Sequence, residues 1–484
     1  FHTVFLDHLL PKEWSHMHPP ILLNSWEAKY FDVSHDNIIQ MATQASNLGI
    51  EMIVLDDGWF GERNDANTSL GDWEANRKKF PYGIRGCAQA VNSVGLKMGL
   101  WFEPEMISVN SKLYQQHPDW CLHVPGRPMQ RGRNQLVLNM GRTDVRDYLY
   151  KCISKIIEKA NIAYIKWDMN RYLTEVFSVE LENSRQGETS HRFMLGTYDL
   201  LNRIVNQFPH VLLETCSGGG GRFDPGMLYF SPQIWTSDNT DALNRVDIQY
   251  GTSLLYPARA MGSHYSMSPN HITMRQCRSR TRAFVAMCGT FGFELNLGTI
   301  SVEERGYVSK FIDMYKEVRD VVAFGNLYRL WDPKEDFCAA WMYVSYDRQN
   351  AAVFVFNTGM RHWSDLMPTL RLQGLAKNTL YEITEPMPNE FTRKEDNLQV
   401  VRATEPSYQL SSKVVYLRGS TLMLAGIPVK FFAADDAVCF KLTAKQSSHE
   451  ADADNAMSPS NSYLNLQLLE PRSEESQQNQ ALFF

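Results

Sequence analysis

Residues 164–170 read Tyr-Ile-Lys-Trp-Asp-Met-Asn, a β-like apolar run that ends on a carboxylate. Side chains alternate between the two faces of a strand, so Lys166 and Asp168 point to one side and Trp167 to the other. An ammonium group beside a carboxylate keeps that carboxylate ionised. An ionised carboxylate on a rigid strand end suits a nucleophile that attacks a sugar carbon. This stretch therefore predicts a strand whose end carries chemistry.

Similar strand-like runs alternate with helical patterns from about residue 20 to residue 320. The predicted strands are 21–26, 52–56, 97–102, 163–168, 211–216, 234–238, 262–266 and 291–297. Several are continuous apolar runs, which is typical of strands covered on both faces. Eight strands in repeated βα order favour a closed (β/α)8 TIM barrel, an α/β fold, over an open doubly wound sheet. We expect this catalytic barrel to occupy residues 21–327.

Three of the predicted helices carry end signals. Gly49 follows the amphipathic segment 36–48 and predicts its end. Thr143 is a predicted cap for the helix over 144–160. Ser301 and Glu304 predict a capping box at the start of the last barrel helix.

The pattern changes after residue 328, where short β-rich runs are separated by Gly, Pro, Asn and Asp. These runs are 337–345, 351–357, 379–383, 414–417 and 438–442. No helix-period segment lies between them, so we predict a small C-terminal antiparallel β-sandwich over 328–443. Residues 444–484 are rich in Ser, Glu, Asn and Gln, and this composition predicts a disordered tail.

Composition excludes several classes of function. The net charge of −6 gives no reason to expect a nucleic acid or membrane partner. The 8 cysteines form no CxxC pair, which argues against a zinc cluster or a dense disulfide framework. No apolar run is long enough for a membrane span. The chain opens on Phe1 without a signal-peptide pattern, which favours a cytoplasmic location.

Polar and aromatic residues follow the predicted strands directly. In a TIM barrel the active site lies at the carboxyl ends of the strands. The residues at these ends are Trp26, Glu27, Asp56, Asp57, Trp101 to Glu105, Lys166, Asp168, Cys216 to Gly219, and Asp238. A single acidic residue after a strand is as often a helix cap as a functional group. Acidic residues after five strands that share one face of the barrel indicate a site.

Each motif also has a purely structural interpretation. Asp56-Asp57-Gly58 is compatible with a simple turn, and Cys216 with an inert buried thiol. The glycines at 218–221 lack the following Lys-Ser/Thr of a phosphate loop, so they indicate close approach of backbone to a ligand or a neighbouring loop. Arg131 and Arg133 are compatible with solvated loop charges.

Alternative functions remain open at this point. Several carboxylates with a lysine at barrel strand ends are also typical of Mg²⁺-dependent lyases and isomerases. A carbohydrate-binding protein on a degenerate barrel is the non-enzymatic alternative. The chain has no GxSxG motif, so a Ser-His-Asp hydrolase is not favoured.

Six motifs together resemble the α-galactosidases of glycoside hydrolase family 36. They occur in family order, and the similarity covers about residues 20 to 440. The motifs are Asn24-Ser-Trp-Glu-Ala28, Asp56-Asp-Gly-Trp-Phe60, Gly99-Leu-Trp-Phe-Glu-Pro-Glu-Met106, Lys166-Trp-Asp-Met-Asn-Arg171, Cys216-Ser-Gly-Gly-Gly-Gly-Arg-Phe-Asp224 and Ser237-Asp-Asn-Thr-Asp241.

This resemblance implies a retaining, two-step hydrolysis of terminal α-galactosides such as melibiose or raffinose, without cofactor or metal. Asp168 matches the family's nucleophile and Asp238 its general acid/base. In a retaining enzyme two such carboxyls lie about 5–5.5 Å apart. The residues that match substrate-binding positions are Trp26 at the pocket mouth, Asp56 and Asp57 on the galactose hydroxyls, Trp101 and Arg133 along the pocket, Lys166 beside the nucleophile, and Cys216 and Gly219 on the wall near the 2-position.

The resemblance also sets expectations beyond the barrel. Family members of this type carry a large β-sandwich ahead of the barrel, so residues 1–20 are expected to be a linker remnant. The resemblance also implies a homo-oligomer, of which a tetramer is one form, for the full-length protein. An α-N-acetylgalactosaminidase and a galactosyl transferase are the alternatives on the same barrel.

Overall fold

A computed structural model describes residues 1–336, 338–359, 369–386, 414–429, 431 and 435–445. In chain order the strands are β1 (Leu22–Asn24), β2 (Met52–Leu55), β3 (Lys97–Phe102), β4 (Met106–Ser108), β5 (Gln135–Val137), β6 (Ile162–Trp167), β7 (Leu212–Thr215), β8 (Gln233–Trp235), β9 (Met261–Ser266), β10 (Thr290–Glu294), β11 (Asn326–Trp331), β12 (Cys338–Val344), β13 (Asn350–Asn357), β14 (Thr369–Leu370), β15 (Leu380–Thr384), β16 (Val415–Arg418), β17 (Ile427–Pro428) and β18 (Ala437–Lys445).

The α-helices connect and cover these strands. They are α1 (His2–Val4), α2 (Trp26–Lys29), α3 (His35–Leu48), α4 (Gly83–Ser93), α5 (Lys112–Gln116), α6 (Thr143–Ala160), α7 (Thr189–Gln207), α8 (Pro225–Leu228), α9 (Ala242–Thr252), α10 (Ser279–Met287), α11 (Val302–Phe324) and α12 (Gly419–Leu424). A π-helical turn covers Phe5–Leu9, and 3₁₀ turns cover Lys12–Trp14, Pro118–Trp120, Asn183–Glu188 and Ala258–Ala260. Within the part of the chain that the structure describes, no helix is both long and apolar enough to cross a membrane.

Eight parallel strands close into a barrel in the order β1-β10-β9-β8-β7-β6-β3-β2. Closure is visible in the register of Leu22, which pairs with Met52 on one side and with Gly292 on the other. Almost every residue of these strands is buried, because helices cover the outer face and side chains fill the interior. The predicted TIM barrel is confirmed.

Several strands end earlier than predicted, whereas β3 and β9 end at the predicted residues 102 and 266. β8 ends at Trp235, so Asp238 lies three residues beyond it, and β10 ends at Glu294 rather than at residue 297. Asp168 follows the last residue of β6 directly. Both aspartates therefore lie just past the carboxyl ends of the barrel strands.

The structure confirms some of the predicted helix ends and not others. Gly49 ends α3 in the left-handed region, at φ +89°. Thr143 is the first residue of α6 and not its cap, and no side chain caps that helix. Ser301 accepts the N–H of Glu304 at 3.0 Å, but the Glu304 carboxylate pairs with Arg282, so only half of the predicted capping box forms. A charge-assisted bond from a guanidinium is stronger than one from a backbone amide.

The chain after the barrel forms antiparallel sheets, as predicted. Six strands lie in the order β11-β12-β13-β18-β15-β16, and β14 pairs with β17. Alternate residues of β12 pack in the core shared with the barrel and in the separate core of the sheet. A buried ion pair between Arg280 and Asp436 joins α10 to the sheet. The predicted tail lies outside the described residues from position 446 onward.

Residues 1–20, predicted as a linker, pack against the barrel. Leu6 and Leu10 belong to the buried core. The guanidinium of Arg259 donates to the carbonyl of Met17 at 2.7 Å and also to that of Trp14.

Candidate active site

A cavity of about 180 Å³ opens at the carboxyl ends of the barrel strands. It is lined by Trp26, Glu27, Asp56, Asp57, Trp101, Arg133, Lys166, Asp168, Asn170, Trp235, Asp238, Thr240, His271, Ile272 and Glu294. Eight of the ten residues singled out from the sequence are in this lining. The other two, Cys216 and Gly219, are absent from the lining and contact the loop that carries Asp238.

Asp168 is held by donors that carry no charge. Its Oδ2 accepts the indole N–H of Trp101 at 3.1 Å and the side-chain amide of Asn170 at 2.6 Å. Its Oδ1 accepts the backbone N–H of Met169 at 2.9 Å. The side chain is buried, so these three bonds fix the orientation of both oxygens.

Lys166, predicted to lie beside Asp168, forms its ion pair with Asp56. The Lys166 ammonium lies 3.0 Å from Oδ2 of Asp56, and Asn24 donates to the same oxygen at 2.8 Å. Same-face neighbours on a strand lie about 6.6 Å apart, whereas Asp56 faces the ammonium from the end of β2. Burial disfavours the ammonium, but the charges of Asp56 and Glu294 outweigh burial and raise the pKa of Lys166 well above its ordinary value.

Asp57 forms a two-pronged pair with Arg63. The guanidinium Nη2 lies 2.8 Å from Oδ2 and Nε lies 3.0 Å from Oδ1. Burial raises the pKa of Asp57, and Arg63 opposes that rise. The Asp-Asp-Gly motif is thus more than a turn, because its two carboxylates line the cavity and each pairs with a different buried cation.

Asp238 is more exposed than Asp168 and accepts fewer hydrogen bonds. Its Oδ1 accepts the indole N–H of Trp235 at 3.1 Å and lies 3.9 Å from the sulfur of Cys216. Desolvation inside the cavity, followed by the negative charge of Asp168, raises the pKa of Asp238 to about 6. The two aspartates therefore have different environments within one cavity, which is how a protein gives two carboxyls different roles.

The glycine-rich turn after β7 contacts the loop that carries Asp238. The N–H of Gly219 donates to the sulfur of Cys216 at 3.3 Å. Gly219 has φ +86°, and a Cβ at this position would lie 2.6 Å from the Cα of Ser237 and 2.7 Å from the nitrogen of Asp238. Burial raises the pKa of the Cys216 thiol well above its ordinary value, so the thiol beside Asp238 is neutral.

Two further carboxylates line the cavity and were not assigned a role from the sequence. Glu27 accepts the hydroxyl of Thr240 at 2.6 Å and lies 3.2 Å from Nδ1 of His271. Burial raises the pKa of Glu27 while the bond from His271 opposes it, and the same bond raises the pKa of His271. Glu27 follows Trp26 in the motif Asn24–Ala28, so the sequence placed it at the end of the first strand.

Glu294 is the last residue of β10, the strand that pairs with β1, and it lines the same cavity. Its Oε2 lies 3.0 Å from Nδ1 of His264. Burial opposes its charge, but the bond with His264 and the charges of Lys166 and Arg245 together lower its pKa. Glu294 lies inside the predicted eighth strand, 291–297, so the predicted strand end did not point to it, and His271 and Ile272 lie in a loop without a motif.

Arg133 and Arg131 differ in position. Arg133 lines the cavity, in a backbone turn at φ +50°, while Arg131 is exposed and lies outside the lining. The turn is secured by Arg171, which donates to the carbonyls of Gln130 and Gln135.

Metal-binding clusters of three or more His, Cys, Asp or Glu side chains do not occur among the described residues. The carboxylates that suggested a Mg²⁺ site instead pair with cations of the protein, Asp56 with Lys166 and Asp57 with Arg63.

Comparison with known proteins agrees with this geometry. The Melibiase family matches residues 1–325, and the glycosyl hydrolase family 36 C-terminal domain matches residues 338–442. The chain belongs to glycoside hydrolase family 36. The α-galactosidase AgaA of Geobacillus stearothermophilus is 52% identical over 79% of this chain, and Mel36A of Lactobacillus acidophilus is 48% identical over 80%.

Solved structures of family 36 share the fold. The crystal structure of the G. stearothermophilus α-galactosidase AgaA superimposes with a TM-score of 0.84 at 46% identity, over 92% of this chain and 58% of that one. Structures of AgaA variants hold raffinose and stachyose. This chain spans about half the length of its curated family 36 relatives, 52% for both AgaA and Mel36A.

The contact between Gly219 and the backbone of Asp238 supplies a first prediction. Gly219→Ala should lower kcat/KM for an α-galactoside by about ten-fold or more, because the added carbon pushes the backbone that carries Asp238 and a displacement of about 1 Å is costly in a catalytic site. Steady-state kinetics and the melting temperature measure the effect.

Gly218→Ala is the matched control. Gly218 also has positive φ, +54°, but a Cβ there meets nothing within 4 Å. The Gly218→Ala variant should lose about 1 kcal/mol of folding free energy through backbone strain and keep kinetics near those of the wild type. Equal kinetic losses in both variants would contradict the proposed contact.

Proposed function

We propose that this chain carries the catalytic centre of a retaining α-galactosidase, with Asp168 as nucleophile and Asp238 as general acid/base. The observation that carries this proposal is the contrast between two aspartates of one cavity, the buried Asp168 and the more exposed Asp238. Three uncharged donors hold the carboxylate of Asp168 in place, whereas the pKa of Asp238 is raised to about 6. One carboxyl is prepared to attack and the other to hold a proton.

In the first step, an oxygen of Asp168 bonds to the anomeric carbon while the glycosidic C–O bond breaks. The proton of Asp238 passes to the leaving oxygen, so the aglycone departs as a neutral alcohol. A covalent galactosyl ester on Asp168 and an ionised Asp238 remain.

In the second step, Asp238 accepts a proton from water, whose oxygen attacks the anomeric carbon. The ester bond breaks, and its electron pair returns to Asp168. Two inversions give galactose in the α configuration, and both carboxyls regain their starting protonation states.

The polar wall supports recognition of galactose. Asp56 and Asp57 supply carboxylate oxygens for sugar hydroxyls, and the Lys166 ammonium, with only one of its donors directed to Asp56, supplies a donor. Both carboxylates are anchored by cations, so they present fixed oxygens to the axial hydroxyl that distinguishes galactose from glucose. The family 36 structures with raffinose and stachyose support oligosaccharides of this type as substrates.

Hydrolysis of raffinose, followed by NMR of the fresh product, tests this function. We expect galactose to appear first as the α anomer, and a nitrophenyl N-acetyl-α-galactosaminide to be cleaved more slowly than its galactoside. EDTA should have no effect. Initial β-galactose, faster cleavage of the N-acetyl substrate, or loss of activity in EDTA that Mg²⁺ restores would each contradict the proposal. Added galactosyl acceptor with transfer exceeding hydrolysis would favour the transferase.

A further inference from the structure

Each of the two candidate catalytic carboxylates accepts an indole N–H. Trp101 donates to Oδ2 of Asp168 at 3.1 Å, and Trp235 donates to Oδ1 of Asp238 at the same distance. Trp101 stands in a quoted sequence motif, whereas Trp235 is the last residue of β8 and stands in none. Trp235 is buried, with 2% of its surface exposed, and it lines the cavity.

The ring of Trp235 is held by its surroundings. The guanidinium of Arg245 lies 4.5 Å from the ring centroid. The imidazole of His264 lies 4.2 Å away, at an interplanar angle of 37°, and is itself fixed by Glu294. Gly262 on the neighbouring strand leaves room for the ring, because a Cβ there would lie 2.9 Å from Cε3 of Trp235. The indole N–H is therefore a preorganised donor.

This donor distinguishes the two oxygens of Asp238. Oδ1 accepts from Trp235 and faces the Cys216 sulfur, while Oδ2 has no hydrogen bond among the described contacts of this residue. We propose that Trp235 is a positioning residue for Asp238, which fixes Oδ1 as a permanent acceptor and leaves Oδ2 to carry the transferable proton. The proposal rests on the function proposed above and deepens it.

The same bond affects the acidity of Asp238. An N–H donated to a carboxylate favours the ionised form, so Trp235 opposes the rise that burial and Asp168 cause in the pKa of Asp238. The other ionisable groups that line the cavity are Glu27, Asp56, Asp57, Arg133, Lys166, Asp168, His271 and Glu294, and Cys216 and Arg245 interact with Asp238 from outside the lining. A change confined to the indole N–H leaves all of them in place.

Trp235→Phe tests the proposal, since phenylalanine keeps a ring against Arg245 and His264 but removes the N–H. The alkaline limb of kcat/KM for raffinose should lie near pH 6 in the wild type and rise by about one pH unit in the variant. We expect kcat for raffinose to fall about ten-fold with little change in KM, and a dinitrophenyl galactoside to lose less, because its leaving group needs no proton.

Two control variants separate this effect from general damage. Trp341→Phe removes a buried indole from β12, outside the cavity, and should leave the limb unmoved. Trp101→Phe removes the corresponding donor from Asp168 and should slow the hydrolysis of raffinose and of the dinitrophenyl galactoside by a similar factor. Replacement of Trp235 by 3-benzothienylalanine exchanges only the N–H for sulfur, so it gives the same test if Trp235→Phe does not fold.

The outcomes separate the two proposals. A wild-type chain that turns over no α-galactoside overturns the proposed function and the role of Trp235 with it. A wild type that turns over raffinose, with an alkaline limb that is unmoved in folded Trp235→Phe or the benzothienyl variant, overturns the role of Trp235 alone. Equal losses with raffinose and the dinitrophenyl galactoside also overturn it.

Discussion

Asp168→Ala should reduce raffinose hydrolysis by about 10⁴-fold or more, because the first displacement then has no nucleophile. Azide should restore part of the rate with a dinitrophenyl α-galactoside, since a small anion fits the space that the carboxylate leaves. The product should be β-galactosyl azide, because azide attacks from the face that Asp168 occupied and only one inversion takes place. Product analysis by NMR and mass spectrometry measures this result.

Asp247→Ala is the control for this experiment. Asp247 is an exposed residue of α9 and lies outside the cavity lining. It should retain wild-type kinetics and gain nothing from azide. A folded Asp168→Ala variant that azide does not rescue, or one that keeps substantial activity on raffinose, would assign the nucleophile to another residue.

Asp238→Asn should lower kcat/KM for raffinose by about 10³-fold and affect a dinitrophenyl galactoside much less in the first step. The sucrose released from raffinose is a poor leaving group that needs the proton of Asp238, whereas dinitrophenolate leaves unassisted. Asparagine keeps the shape of the side chain and an oxygen that can accept from Trp235, so the loss reports the missing proton rather than a collapsed pocket. Kinetics across a series of aryl galactosides measure the dependence on leaving-group pKa.

Asp57→Asn provides the contrast for the acid/base assignment. Asp57 lines the same cavity, but its carboxylate is buried and both of its oxygens pair with Arg63. We expect the Asp57→Asn variant to have a lower kcat/KM for both substrates, by a similar factor. The same uniform loss in Asp238→Asn would exclude Asp238 as the general acid.

The barrel was predictable because local pattern and global fold agree. Both faces of a parallel barrel strand are buried, so continuous apolar runs such as Met52–Leu55 mark the strands without knowledge of their partners. The carboxyl ends of all eight strands meet on one face, so residues that follow the runs converge there. This is why Asp56, Lys166, Asp168 and Asp238, although distant in sequence, could be assigned to one cavity.

The partners of these residues could not be predicted from the same pattern. Alternation along β6 places Lys166 and Asp168 on one face, but the ion pair of Lys166 crosses the barrel interior to Asp56. The bond between Glu27 and His271 depends on closure of the barrel between β1 and β10, which joins segments 244 residues apart, 271 minus 27. Trp235 went unnoticed because a buried tryptophan at a strand end is more often part of the core than a donor to a functional group.

Covalent trapping with a fluorinated α-galactosyl reagent, followed by peptide mapping, tests the two-step mechanism most directly. The fluorine substituent slows hydrolysis of the ester, so the intermediate accumulates. The mechanism predicts one galactosyl group per chain on the peptide that contains Asp168, and none in Asp168→Ala. A label on Asp238, or a fully active enzyme that never acquires a label, would contradict it.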